Sequence, residues 1–280
     1  MSESYHRIPL LKAPVWTWEV PAYFFVGGAA GAAAAIGAVA QLAGANDDLV
    51  RDARWIAAAG SALSAPLLIS DLGRPERFLN MLRVFKLQSP MSVGAWTLAA
   101  FGTASSAAAF ADLVRRKTDL PVRIVGDASA FLAAGTGMVM ATYTGVLIGA
   151  TTIPVWREHV RLLPMHFGAS ALGSAVSLLE LRGHDDDALN AIALGAAIFE
   201  TVANFAIETG DDRASAPLRD GRTGLLTKLA GAFAGPIPLA LRLLGARKGA
   251  AVSTLVGSLL TRFAWVEAGK ASTKDVELAL

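Results

Sequence analysis

The run from Val20 to Leu42, V-P-A-Y-F-F-V-G-G-A-A-G-A-A-A-A-I-G-A-V-A-Q-L, decides the fold. It carries no charge, and as a helix it is long enough to cross the roughly 30 Å hydrocarbon core of a bilayer. In lipid every backbone N–H and C=O must be satisfied within the segment, which makes such a run a helix. Gly27, Gly31 and Ala35 recur at the four-residue spacing that lets helix backbones approach closely in lipid.

Seven further apolar runs follow. They are Trp55 to Ser70, Leu87 to Ala111, Ala128 to Trp156, Leu162 to Leu179, Ala188 to Ile207, Leu225 to Leu244 and Ala250 to Val266. The fourth run of the chain is the longest and overshoots into a loop near Pro154. The sixth is interrupted by Glu200. The seventh contains Lys228 and Gly235-Pro236-Ile237-Pro238, and the eighth has Arg262 near its end. Composition agrees, with 54% hydrophobic residues, 17% charged residues and a mean hydropathy of +0.47 over 280 residues. A soluble domain would carry nearer a quarter charged. The expectation is an all-α integral membrane protein of about eight spans. One membrane domain, residues 20–268, would lie between an N-terminal tail (1–19) and a C-terminal tail (269–280).

The first span is expected to act as the insertion signal, since residues 1–18 have no apolar signal-peptide core. Basic residues are densest in the short loops, as at Arg115-Arg116-Lys117, which favours short loops in the cytoplasm and termini outside. Trp16, Trp18, Trp55, Trp96, Trp156 and Trp265 all lie near run ends and read as an interfacial belt. The net charge of +2 gives no reason to invoke nucleic acid.

Ionisable groups at this depth are costly and mark function by default. Glu19 and Tyr23 share one face where the first helix begins. Asp71 ends the second run, where the helix dipole disfavours an anion, and Arg74 is its simplest partner. Tyr143 lies inside the fourth run and His166 opens the fifth, where it could merely satisfy a backbone carbonyl. Glu200, Asn204 and Glu208 form one polar stripe, and Arg262 and Glu267 read most simply as snorkelling ends. With an even number of spans, Glu19, Asp71, His166, Glu208 and Glu267 fall on the same membrane side as the N-terminus.

Redox equipment is sparse. Cysteine is absent, which excludes disulfides, thiolate zinc sites and clusters held by four protein thiolates. Of the four histidines only His166 lies in an apolar run, so a facing pair of axial haem ligands is not available. Neither haem nor metal is therefore expected in this chain. Any redox role would need a partner's cofactor and a lipid-soluble couple. Quinone fits, because tyrosine, carboxylate and imidazole suit its oxygens and protons. Between the second and third runs, the segment from Asp71 to Trp96 is longer than a hairpin requires. It carries Arg74, Arg77, Arg83 and Lys86, a candidate docking surface for a partner. A different class remains open: an ion-coupled transporter or proton channel using Glu200, Asn204 and Glu208, with the Pro236–Pro238 break as a discontinuous helix. A purely structural anchor is a further alternative.

The motifs D-L-G-R-P (71–75) and S-P-M-S-x-G-A-W (89–96) resemble the NrfD-like family, the membrane subunit of polysulfide reductase and its relatives. So do W-x-W-E-x-P-x-Y-x-F (16–25), Y-T-G (143–145) and R-F-x-x-x-x-A-G-x-x-S (262–272). The resemblance implies eight spans in two four-helix bundles and no metal cofactor in this subunit. It implies a bacterial or archaeal cytoplasmic membrane and a docked four-cluster ferredoxin-like subunit, often with a molybdopterin subunit beyond it. It also implies menaquinone or ubiquinone bound near that interface, with contacts that carry over to Tyr143 and Glu19. Asp71 matches the motif, whereas Glu200 and Asn204 lie outside it.

Overall fold

The computed structural model describes residues 11–74, 76–115 and 122–274. Pro75, the Arg116-Lys117 pair and the outer parts of both tails lie outside the described residues. All regular structure among the described residues is helical. The helices are α1 (Glu19–Leu42), α2 (Asp47–Asp71), α3 (Glu76–Met81), α4 (Pro90–Arg115), α5 (Arg123–Gly149) and α6 (Pro154–Glu158). They continue with α7 (Leu162–Leu181), α8 (Asp187–Thr209), α9 (Ala216–Arg219), α10 (Gly221–Ala234), α11 (Pro236–Leu243) and α12 (Arg247–Ser272).

Among the described residues, seven segments are long and apolar enough to cross a membrane: α1, α4, α5, α7, α8, α10 with α11, and α12. The 25-residue α2 does not meet that standard. Its first two turns carry Asp47, Asp48, Arg51, Asp52 and Arg54. It nevertheless packs along α1 and against α4. Helix starts and stops have local causes. Asn46 caps α2 by accepting from the Asp48 amide at 2.8 Å. The fourth apolar run ends at Gly149, and Pro154 then begins the separate short helix α6. At Gly235 the chain leaves helical geometry (φ −110°, ψ −92°), so the proline-rich seventh run is two helices in line.

Helix α1 is central and packs on α2, α5, α7 and α12. Its small residues form a packing face. A Cβ on Gly31 would stand 2.2 Å from the Gly137 carbonyl oxygen on α5, and one on Gly27 would stand 3.0 Å from Met140.

The chain ends and turns define two ends of the molecule. At the far end, Arg54 binds Asp112 at 2.7 Å, Asp127 at 2.8 Å and Gln41 at 2.8 Å. Asp52 meets Arg182 and His184 at 3.2 and 3.1 Å. Arg242 holds both carboxylate oxygens of Glu180 at 2.6 and 2.7 Å and the Asn190 side chain at 3.0 Å. Arg247 pairs with Asp185 and with Asp187. The other end holds the starts of α1, α4 and α7 and the ends of α2, α5 and α8. It also holds most of the candidate site residues.

Two interfacial tryptophans are corrected by the structure. Trp156 and Trp265 are 0% and 2% exposed and belong to the core, whereas Trp18, Trp55 and Trp96 are exposed. Arg262 is corrected too. It does not snorkel: it is 1% exposed, with its guanidinium 3.9 Å from the centre of the Phe167 ring. Glu267 pairs with Lys270 instead, at 2.7 Å.

Candidate functional site

Tyr23 on α1 and Tyr143 on α5 meet through their hydroxyls. Both rings are buried. In such a pair one hydroxyl donates to the other, so one O–H remains free for a third group. The position of Tyr143 is set from α4. A Cβ on Gly94 would lie 2.3 Å from the Tyr143 ring and 2.9 Å from its hydroxyl. Only a glycine leaves room there, and Gly94 belongs to the S-P-M-S-x-G-A-W motif. Gly145 has a parallel role, letting the end of α5 touch the backbone at Leu163 and Pro164.

Above the tyrosines, the Thr17 hydroxyl contacts the Glu19 carboxylate and also lies 3.0 Å from Asp71 Oδ1. The Thr17 amide donates to the same Asp71 oxygen at 3.2 Å. The expected pairing of Asp71 with Arg74 is not formed. Asp71 is held by the segment before α1, because α1 and α2 are antiparallel and bring Thr17 to the end of α2. A hydroxyl has one proton to give and lone pairs to accept with. Thr17 can therefore donate to one carboxylate and accept from the other in its acid form, so the three side chains form one hydrogen-bonded chain.

A second polar group lies between α7, α8 and α12. His166 Nε2 is 2.7 Å from Glu200 Oε2, and both side chains are almost fully buried. The Trp265 indole, which can only donate, reaches His166 Nδ1 at 3.3 Å. The ring proton therefore sits on Nε2 and points at Glu200. This replaces the bland expectation that His166 satisfies a backbone carbonyl. Glu200 Oε1, Arg262 Nε and Arg262 Nη1 are buried without a hydrogen-bond partner. Asn204 bonds back to the Glu200 carbonyl at 2.7 Å, while Glu208 is exposed. The Asn204 amide also comes within 3.5 Å of Glu200 Oε2, so Glu200 and Asn204 stay together beside His166 and only Glu208 of the α8 stripe stands apart.

Aromatic residues tie these groups together. Trp16 stacks on Trp156 with ring centres 5.4 Å apart, and the Trp156 indole donates to the Trp265 carbonyl at 2.8 Å. Gly269 makes room for the Trp156 ring, since a Cβ there would lie 2.1 Å from it. His159 packs edge-on to Trp265 at 5.3 Å and contacts the Ser215 hydroxyl at 2.8 Å. Burial holds the His159 imidazole below the usual histidine range, against the opposing pull of Asp212 and Glu158. Sequence reasoning did not single out Thr17, His159 or Arg54. Gly94 and Gly269 stood inside quoted motifs, and that was the signal available.

A shallow groove of about 690 Å³ runs along Ala62, Ala65, Pro66, Ile69 and Ser70 of α2 to Gly73. Beyond it, Arg74, Arg77, Arg83 and Lys86 are all exposed, and none forms an ion pair among the described residues. The same segment exposes Leu79, Val84, Phe85 and Leu87. Among the described residues no group of three or more His, Asp or Glu side chains is placed to hold a metal.

A comparison with curated proteins finds no match. A family model described as polysulphide reductase, NrfD, matches residues 6–182, which include the first three quoted motifs and Y-T-G but not the Arg262–Ser272 segment. That match covers more than half of the chain, and this multi-pass helical membrane protein belongs to the NrfD polysulphide reductase family.

Proposed function

We propose that the chain is the quinone-reactive membrane anchor of an iron–sulfur oxidoreductase, exchanging electrons between a partner's cluster and quinone. The observation that carries this reading is the Tyr23–Tyr143 hydroxyl pair, seated by Gly94 and lying below the Glu19–Thr17–Asp71 relay. Quinone supplies a lipid-soluble couple that takes up two electrons and two protons. The residues present fit it: the tyrosine pair keeps one O–H free for a carbonyl oxygen, and the groove along α2 is apolar. Tyr143 orients the ring by hydrogen bonding. Glu19 and Asp71, joined through Thr17, deliver or accept protons. His166 with Glu200 is a buried proton store for the same end.

In this reading α2 is the eighth span. Its charged first turns lie in the ionic layer at the far end, and the spans form two bundles: α1, α2, α4, α5 and α7, α8, α10–α11, α12. The exposed basic and apolar residues from Arg74 to Leu87 seat a ferredoxin-like subunit, with a molybdopterin subunit beyond it. The membrane is a bacterial or archaeal cytoplasmic membrane, and the quinone is menaquinone or ubiquinone. The test is Tyr143→Phe in the assembled complex. Quinone-linked turnover should fall at least tenfold with assembly intact. Unchanged turnover would remove the site reading and leave a structural anchor.

A further inference from the structure

We propose that the pocket at the far end of α1, α2, α4 and α5 binds an anionic phospholipid with a hydroxylated head group; this does not depend on the quinone reading. The pocket has a volume of about 350 Å³. Four guanidiniums line it, those of Arg51, Arg54, Arg115 and Arg123, with the carboxylates of Asp47, Asp112 and Asp127. It lies where α1 and α4 end and where α2 and α5 begin. Because α1, α4 and α5 are long and apolar enough to span a bilayer, that level is where lipid head groups lie.

The charges are layered by depth. At the base, Arg54 is 7% exposed and donates to Asp112 and Asp127, whose side chains are 11% and 24% exposed. Arg115 and Arg123 stand higher, at 45% and 77%. They are 3.9 and 3.6 Å from Asp112 and Asp127, beyond hydrogen-bonding distance. Their N–H groups are therefore available to an anion arriving from the membrane surface, which meets these cations before the acids below. The start of α5 has no side-chain cap, so its first-turn N–H groups add positive character at Arg123. The densest basic run of the sequence, Arg115-Arg116-Lys117, begins at the same rim.

Two buried atoms say what the ligand must offer. Arg54 Nε is a donor without an acceptor, and Asp112 Oδ2 is an acceptor without a donor. Buried polar groups normally find partners. Guanidinium matches phosphate oxygens in charge and in geometry. The free Asp112 oxygen calls for a hydroxyl. A phosphodiester that carries a polyol, as in phosphatidylglycerol, meets both demands. A zwitterionic head group would instead bring an ammonium to a pocket that already holds four guanidiniums.

The flank of the pocket favours a lipid over free phosphate. Ile124 is exposed next to Arg123, and Phe131 and Met138 follow it on the same face of α5 at seven-residue steps. On α4, Phe110 and Leu113 are exposed within two turns of Arg115. Acyl chains thus have an apolar track leading away from the charged rim. Basic pockets between membrane helices are a recurrent seat for anionic lipid head groups.

The assembled complex, stripped of lipid in detergent, is titrated with phosphatidylglycerol, phosphatidylethanolamine or phosphatidylmethanol of equal chain length, and bound lipid is read by native mass spectrometry. Phosphatidylglycerol should bind at least tenfold tighter than phosphatidylethanolamine. It should bind at least threefold tighter than phosphatidylmethanol, which keeps the phosphodiester and lacks the hydroxyls. The double variant Arg115→Gln, Arg123→Gln should weaken phosphatidylglycerol at least fivefold and leave phosphatidylethanolamine unchanged. Arg123→Gln alone, at an exposed side chain, should weaken it at least twofold and keeps the test valid if the double variant fails to assemble. Equal affinity for phosphatidylglycerol and phosphatidylethanolamine, or a preference that survives both variants, overturns the proposal. Phosphatidylmethanol bound as tightly as phosphatidylglycerol overturns the hydroxyl contact at Asp112. Displacement of phosphatidylglycerol by equimolar inorganic phosphate makes the pocket a free-phosphate site and overturns the lipid as its occupant.

Discussion

The two ends of the molecule treat their acids in opposite ways. At the far end, Asp112, Asp127, Asp52 and Glu180 each meet a guanidinium. Guanidinium stays protonated at any physiological pH, so these pairs neutralise charge but cannot pass protons. At the site end, Glu19 and Asp71 meet a threonine hydroxyl and Glu200 meets an imidazole. Those partners gain and lose protons or relay them. In the proposed reading, the contrast separates an end whose acids are neutralised by fixed cations from one whose acids can exchange protons, although both are rich in carboxylates.

The largest effect is expected from breaking the far end. Arg242→Met leaves Glu180 buried without its bidentate partner and should cost about 3–5 kcal/mol. Thermal unfolding in detergent checks this, and an unchanged midpoint would mean that Glu180 is not dependent on the pair. At the site end the sharpest change is Gly94→Ala. The added methyl collides with the Tyr143 ring, so quinone-linked turnover should fall at least tenfold while the complex still assembles. If turnover survived, the exact placement of Tyr143 would not matter to it.

A smaller effect is expected from Thr17→Val, which keeps shape and removes the hydroxyl between Glu19 and Asp71. Stability should change by about 1 kcal/mol, because the Thr17 amide still holds Asp71. The pH dependence of turnover should shift more than the melting temperature does, and the reverse would make the trio a mere structural clasp. The smallest effect belongs to His159. Its folded imidazole is held below the ordinary range, so above that range both states are neutral and pH does not matter. As pH falls below about 6.5 the unfolded chain binds the proton first and the fold loses stability. A His159→Gln chain should lose that acid-side slope, measured by unfolding between pH 7 and pH 5.

Much of the site was readable from single residues. Tyr143, Tyr23, Glu19, Asp71 and His166 stood out because polar groups are rare in apolar runs, and all lie at one end. Their partners were not readable. Thr17 looked like any residue before a helix, and its contact with Asp71 joins positions 54 apart in sequence. Arg262 read as a snorkelling end because its run stops there, yet α12 continues to Ser272 and carries it inside. Glu200 formed a plausible stripe with Glu208, but α8 leaves Glu208 outside and turns Glu200 toward α7.

By itself the sequence determined the long apolar helices and the membrane class, but not every helix end, since α2 starts at Asp47 and α12 runs to Ser272, both outside their apolar runs. The apolar helices and the class follow from local hydrophobicity and from the need of a backbone in lipid to bond to itself. The tertiary structure alone decided which acid faces which cation or hydroxyl, and that Gly94 and Gly269 make room for Tyr143 and Trp156. Helix rotation and crossing set those choices. They depend on close packing between segments distant in the chain, which no local pattern encodes.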